Sequence, residues 1–307
     1  MQESFLEQSY RPAIVAGMLA LGFSLFLVIL KAAAWFWTGS VLILASLVDS
    51  AGDFVISFIN FFAIREAKKP ADENHRYGHG KIEGLASVFQ GAIIAGAGCF
   101  VLLEAVMRLA QPIVTTDIHI AIAVMVISVV VTLLLVWLQS KSLKKSRSLA
   151  VEADRAHYKG DIAVNISIIA ILVSSYYGAP AWVDPIAAIM VALYLGFNAW
   201  TISTKGVDML LDKEVGGDTR EKIIKVILSN PQIHGMHDLR TRYNGNKLHI
   251  AFDVEMEPTL MLCEAHNVVK ELEKELLVLY PHSEIMIHKD PIGETEDSRH
   301  QVKGVHI

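Results

Sequence analysis

Six blocks of apolar residues, each near the roughly 20 residues an α-helix needs to cross hydrocarbon, constrain this chain more than any other feature. They run over about 12–38, 41–64, 84–109, 118–140, 151–176 and 181–205. The chain is 53% hydrophobic and 19% charged, whereas soluble proteins carry about 25% charged residues. The apolar residues are gathered in long blocks, not dispersed in the short amphipathic patterns of a soluble core. This pattern predicts an α-helical membrane protein with six transmembrane helices. Glycine recurs in the third block (Gly84, Gly91, Gly96, Gly98), as expected where helices pack closely in lipid. No cleavable signal peptide is evident, because the first block is too long and lacks a small-residue cleavage site before the next.

The loops set the orientation. Arg65, Lys68, Lys69, Arg76 and Lys81 lie between the second and third blocks, and Lys141, Lys144, Lys145 and Arg147 between the fourth and fifth. The links around Gly39-Ser40, Gln111–Thr116 and Gly178–Ala181 hold no Lys or Arg; Arg108, near the end of the third block, dissents. Basic loops mark the cytoplasmic side, so both termini are expected in the cytoplasm.

After Leu211 the composition changes. Residues 212–307 carry 12 Lys/Arg against 17 Asp/Glu, which accounts for the whole net charge of −5, and eight of the 12 His. An acidic, His-rich segment suits cations and not nucleic acid. Asp218–Asn230 reads as an amphipathic helix with Ile223, Ile224, Ile227 and Leu228 on one face, stopped by Pro231. Asp238–Tyr243 and Leu248–Met256 read as strands around Asn244-Gly245-Asn246, a hairpin signal. Leu262–Leu279 is a second helix, stopped by Pro281, and Glu284–His288 a third strand. The expected division is therefore a membrane domain over 1–211, an α-β-β-α-β cytoplasmic α+β domain over 212–291, and a polar, disordered tail over 292–307. Cys99 and Cys263 fall in different domains and no CxxC exists, so neither disulfides nor thiolate metal sites are expected.

Ionisable residues inside the apolar blocks carry the chemistry. Asp49 and Asp53 lie in the second block, His157 and Asp161 in the fifth, each pair spaced i, i+4. On a helix that spacing puts both side chains on one face, one turn apart. A charge at the bilayer centre costs several kcal/mol, with estimates from about 2.5 to above 10, so these groups must face each other, a wet cavity or a cation. The alternative is a set of helix-packing polar groups or isolated ion pairs. Two matched pairs, with His and not Lys as the potential cation, favour a metal. Four O/N ligands from two helices can surround one divalent ion tetrahedrally; Zn²⁺ fits, and Fe²⁺, Mn²⁺, Co²⁺ and Cd²⁺ are compatible. Ligands that must be deprotonated link metal binding to proton release, and an imidazole with an ordinary value near neutrality is the natural exchanger.

Asp72, His75 and His79 sit close together in the second loop, where Gly78 and Gly80 would let the backbone wrap an ion; a solvated polar loop is the bland alternative. In the tail domain His237, Asp253, His266, His288 and Asp290 fall at the ends of four elements that folding could unite. His234, His249 and His282 read as surface residues, and His300 and His306 lie in the loose tail.

Taken together, Leu47-Val48-Asp49-Ser50-Ala51-Gly52-Asp53, Tyr77-Gly78-His79-Gly80-Lys81-Ile82-Glu83, His157-Tyr158-Lys159-Gly160-Asp161, His237-Asp238-Leu239-Arg240-Thr241-Arg242 and Ile287-His288-Lys289-Asp290-Pro291 resemble the cation diffusion facilitator family, most closely its bacterial zinc and ferrous-iron efflux branch. The resemblance spans about residues 10 to 291. It implies a homodimeric, proton-coupled antiporter of the bacterial inner membrane that exports divalent metal, with metal both substrate and regulator, and a ferredoxin-like or metallochaperone-like cytoplasmic domain. It implies transport at Asp49, Asp53, His157 and Asp161, and a second site at Asp72, His75 and His79. It also implies a two-metal tail site bridged by Asp290, one ion held with His237 and Asp253, the other with His266 and His288. At the position of Asp253 the family branch carries His, so the tail site here is harder and more anionic. A charge lock between Lys81 and Asp212 is implied as well. Rival readings are a membrane metalloenzyme, for which no HExxH or GxSxG exists, a metal sensor signalling through the tail, and a passive channel.

Overall fold

A computed structural model describes residues 2–38, 41–110, 118–144, 148–177, 183–281 and 283–293. The expected disordered tail, apart from Ile292 and Gly293, lies outside the described residues, as do the three links without Lys or Arg. The chain divides into two compact units, Met1–Val207 and Asp208–Ile307.

The first unit is built from six long helices: α1 (Gln2–Thr38), α2 (Val41–Ala67), α3 (Ile82–Ala110), α4 (Ile118–Leu143), α5 (Leu149–Tyr176) and α6 (Val183–Leu210), the last running into the second unit. Each covers one apolar block, and α1 extends back to Gln2, beyond the start of the first block at about residue 12. Among the described residues three stretches are long and apolar enough to cross a membrane: Arg11–Phe36, Ile82–Met107 and Ile122–Leu143. The first half of α5 instead carries Glu152, Asp154, Arg155, Lys159 and Asp161.

The distribution of side chains inverts that of a soluble protein. Phe36, Phe100, Phe197 and Trp200 point outward, while Lys31, Ser50, Ser57, Asn60, Gln90, Thr132, Gln139 and Asp154 are buried. Apolar tails surround such a unit without cost, and the polar groups must be satisfied inside it. Small residues let α3 and α6 approach: a Cβ added to Gly206 would stand 2.6 Å from the carbonyl oxygen of Gly84, and one on Gly98 would stand 3.4 Å from that of Ala192. Three of the glycines expected to pack, Gly84, Gly91 and Gly98, thus meet α6, whereas a Cβ on Gly96 would meet nothing within 4 Å.

The second unit follows the expected α-β-β-α-β order: α7 (Gly217–Leu228), β1 (Gly235–Asn244), β2 (Lys247–Met256), α8 (Leu262–Leu279) and β3 (Ser283–Pro291). The strands form one sheet in the order β1-β2-β3, with β1 antiparallel and β3 parallel to β2. The hairpin pairs Asn244 with Lys247 across Gly245-Asn246, and Gly245 has φ 58°, the requirement of a tight two-residue turn. Leu248, Ile250, Phe252, Val254 and Met256 alternate inward from β2 against Ile223 and Ile227 of α7 and Val268, Leu272 and Leu276 of α8. That spacing on α8 is one helical face, and Glu264 caps its start by accepting a bond from the Met261 N–H at 2.9 Å. The helices cover one face of the sheet, and the other carries Asp253 and the exposed Met286 and His288.

β1 differs from expectation in two ways that matter for the site. It begins three residues earlier than Asp238, and its register slips between His237 and Arg240. Two residues on β1 there, Asp238 and Leu239, oppose the single Phe252 on β2, and Asp238 takes a φ of 51°. A bulge of this kind resets the alternation of a strand. His237 and Arg240 thereby share the outer face, while Met236 and Leu239 both enter the core. His249, expected on the surface, is buried at 9% exposure, between its strand partner Arg242 on β1 and Glu284 on β3.

Candidate metal centres

Within the membrane unit α2 and α5 bring Asp53, His157 and Asp161 together, with one ligand atom from each within 4.8 Å of the others. His157 Nε2 lies 3.0 Å from Asp53 Oδ1 and 3.6 Å from Asp161 Oδ2. The three side chains are only 10%, 13% and 18% exposed, so water contributes little to solvating their charge. Asp49 lies in α2 one turn before Asp53; its side chain is outside the described residues. One nitrogen aimed at two carboxylates either shares a proton with them or, deprotonated, faces the same point as their oxygens. That point can hold a divalent cation.

In the loop between α2 and α3, Asp72 Oδ1 lies 3.2 Å from His75 Nδ1 and Asp72 Oδ2 3.3 Å from His79 Nε2. The imidazole rings are 4.5 Å apart. Asp72 also accepts the backbone N–H groups of Asn74 at 2.9 Å and His75 at 2.6 Å. Chiefly through the His75 N–H, these bonds hold its carboxyl below the usual range, so it is a ready anionic ligand. Gly78, with φ 85°, lets the loop turn back.

In the tail domain the sheet aligns a row. His237 pairs with Asp253 on β2, and Asp253 with His288 on β3. Asp290, two residues beyond His288, projects from the same face. His237 reaches Asp253 at 3.7 Å and Asp290 at 3.4 Å, and His288 Nε2 is 3.1 Å from Asp290 Oδ1. His237, Asp253 and Asp290 form the compact trio, with His288 joined to it through Asp290. His266 stands exposed on α8, outside this row. Burial pushes the Asp253 carboxyl up, against the pull of His237 and His288.

Among the described residues, three buried Lys, Asp or Glu side chains of the membrane unit are not sequence-predicted ligands. The Lys31 ammonium on α1 donates to Ser50 Oγ at 2.6 Å, one residue beyond Asp49. Glu83, fully buried at the start of α3, accepts a bond from Ser148 Oγ at the start of α5 at 2.9 Å. A third, Asp154, lies on the face of α5 that carries His157 and Asp161; its i−3 spacing from His157 was the available signal. In the tail, Asp212 pairs with Arg242 at 2.8 Å.

A membrane helical unit with a buried carboxylate–imidazole cluster, joined to an α+β domain with a second such cluster, defines a metal-handling membrane protein. The family model of the cation efflux transmembrane domain matches residues 17–211, and that of the cation efflux protein cytoplasmic domain matches 215–292. The chain belongs to the cation efflux family, whose members are transporters and not enzymes. It is 38% identical to the cation-efflux pump FieF of Shewanella oneidensis, over 88% of this chain and 90% of that one. It is 37% identical to the pump of the same name from Escherichia fergusonii, over 93% and 95%. The solved metal-bound C-terminal domain of the CzcD transporter from Thermotoga maritima is 30% identical, covering 26% of this chain and 93% of that one, with a TM-score of 0.25.

Proposed function

We propose that this protein is a homodimeric metal–proton antiporter of the bacterial inner membrane. It exports a divalent cation, Zn²⁺ first among Fe²⁺, Cd²⁺, Co²⁺ and Mn²⁺, through a transport site made by Asp49, Asp53, His157 and Asp161. The observation that carries this reading is the buried convergence of His157 Nε2 on Asp53 and Asp161, at 3.0 and 3.6 Å. The lone pair that would bind metal is the one that holds the proton, so a site occupied by one excludes the other. The metal leaves when protons reclaim the ligands on the far side, and the site never stands with three unneutralised carboxylates in hydrocarbon.

The loop site at Asp72, His75 and His79 and the tail site at His237, Asp253, His288 and Asp290 act as regulators. His266, outside the row, completes the tail ligand set. Metal in the tail ties together ligands from all three strands, and thereby favours one arrangement of the dimer. Both termini face the cytoplasm in this reading, which an even number of spans and the match of residues 215–292 to a cytoplasmic-domain family model support. The test is flux into proteoliposomes under an imposed pH gradient. Uphill Zn²⁺ or Fe²⁺ movement that follows the proton gradient and is lost in Asp53→Ala supports antiport at this site. Absence of flux in folded, dimeric protein would replace it with a metal sensor acting through the tail.

A further inference from the structure

Asp154 is 2% exposed inside the membrane unit and belongs to none of the three metal centres. Among the described residues its carboxylate is met by donors: Ser57 Oγ at 3.4 Å and Asn60 Nδ2 at 3.1 Å on Oδ1, and Gln139 Nε2 at 2.6 Å on Oδ2. Tyr158 OH lies 2.7 Å from Ser57 Oγ. With the Ser57 hydroxyl donating to Asp154, the phenol donates to Ser57. Asn60 Nδ2 also donates to Gln90 Oε1 at 2.9 Å. The network joins α2, α3, α4 and α5, and each member is no more than 2% exposed.

Its position relative to the transport ligands gives it a purpose. On α2, Ser57 and Asn60 follow Asp53 by four and seven residues; on α5, Asp154 precedes His157 by three and Asp161 by seven. Clamp and cage therefore lie on the same two helix faces, one turn apart. The cage is open to adjustment in one dimension above all, the separation of α2 from α5, because Asp53 comes from one helix and His157 and Asp161 from the other. Bonds to a charged acceptor are shorter and stronger than neutral ones, and they hold that separation beside the site.

We propose that Asp154 is a positioning residue: its buried carboxylate, gripped from α2 and α4, fixes the α2–α5 spacing and so the size of ion the transport site accepts. The proposal rests on Asp53, His157 and Asp161 being that site.

The test is the ratio of initial Cd²⁺ and Zn²⁺ fluxes through the full chain in proteoliposomes, for the wild type, Asp154→Asn, Gln139→Leu and Asp53→Ala. Asp154→Asn keeps the volume but offers one acceptor oxygen in place of two. Asn60 Oδ1 and Gln139 Oε1, buried and without a hydrogen-bond partner among the described residues, can turn to meet the new amide, so the core stays filled while the grip loosens. The expected result is a ratio moved toward the larger Cd²⁺ by about 10-fold, the lower range for removing a group that orients metal ligands, with a raised KM for Zn²⁺. Gln139→Leu leaves the carboxylate in place, removes one donor from α4 and shifts the ratio the same way; it carries the test should Asp154→Asn fail to assemble. A ratio unchanged in both variants, whatever happens to the amount of folded protein, overturns the proposal and leaves the transport site intact. Flux that survives Asp53→Ala overturns the transport-site reading and the proposal with it.

Discussion

His157 and Asp53 are 104 positions apart and their side chains meet at 3.0 Å. Each residue is costly alone in hydrocarbon, and together they become affordable only with a shared proton or an ion. Replacing either should therefore do more than weaken binding, since the partner is left buried and uncompensated. Asp53→Ala and His157→Ala should each lower metal flux by at least the roughly 10- to 100-fold typical for the loss of an outer-shell metal partner, measured as initial rates normalised to reconstituted protein. His249 offers a test of a different kind. Burial holds its imidazole below the ordinary value of 6.5, against the pull of Glu284. Above that value the residue is neutral in both folded and unfolded chains and contributes nothing. As pH falls below about 6.5 the unfolded chain takes up the proton more readily, so stability is lost. The melting temperature of the tail domain, with metal chelated, should fall from pH 7.5 to 5.5, and His249→Phe should reduce that fall. An equal fall in both proteins would show that burial of His249 plays no part.

Helix packing makes its own demand. The backbone of α3 at Gly84 lies so close to α6 that a methyl group on Gly206 would stand 2.6 Å from a carbonyl oxygen, and backbone cannot move aside as a flexible side chain can. Gly206→Ala should destabilise the membrane unit by about 1–3 kcal/mol, the range for overpacking. Gly22→Ala, which meets nothing within 4 Å, should leave it unchanged; melting in detergent compares the two. In the sheet the bulge at Asp238 decides which face β1 presents. Most elements were legible beforehand, since the block lengths predict the helices of the membrane unit and the Ile, Leu and Phe spacings predict α7, α8 and β2. The bulge was not legible, because alternation counts residues and cannot see one that the partner strand leaves unpaired.

At the scale of the whole molecule, two units with separate cores imply separable stability. The tail domain has its own core, from Val215 to Leu276, so residues 213–293 produced alone should fold and melt cooperatively. Its trio of His237, Asp253 and Asp290 exists only in the folded sheet, and metal should therefore stabilise the fold. At 100 times its dissociation constant a ligand contributes about 2.7 kcal/mol, which for a domain this small raises the melting temperature by roughly 10 °C or more. Asp290→Ala should abolish that rise in a calorimetric scan with and without Zn²⁺.

The sequence by itself determined the membrane character, the six-helix order, the α-β-β-α-β succession and the i, i+4 pairs of ionisable residues proposed as ligands. These depend on block length, periodicity and i, i+4 spacing, which are local properties of a chain. Only the tertiary structure decided that His237, Asp253 and His288 share one row while His266 stands outside it, and that Asp154 is gripped by donors from α2 and α4 beside Asp53, His157 and Asp161. Strand register and helix separation are set by contacts between residues far apart in sequence, and no local pattern records them.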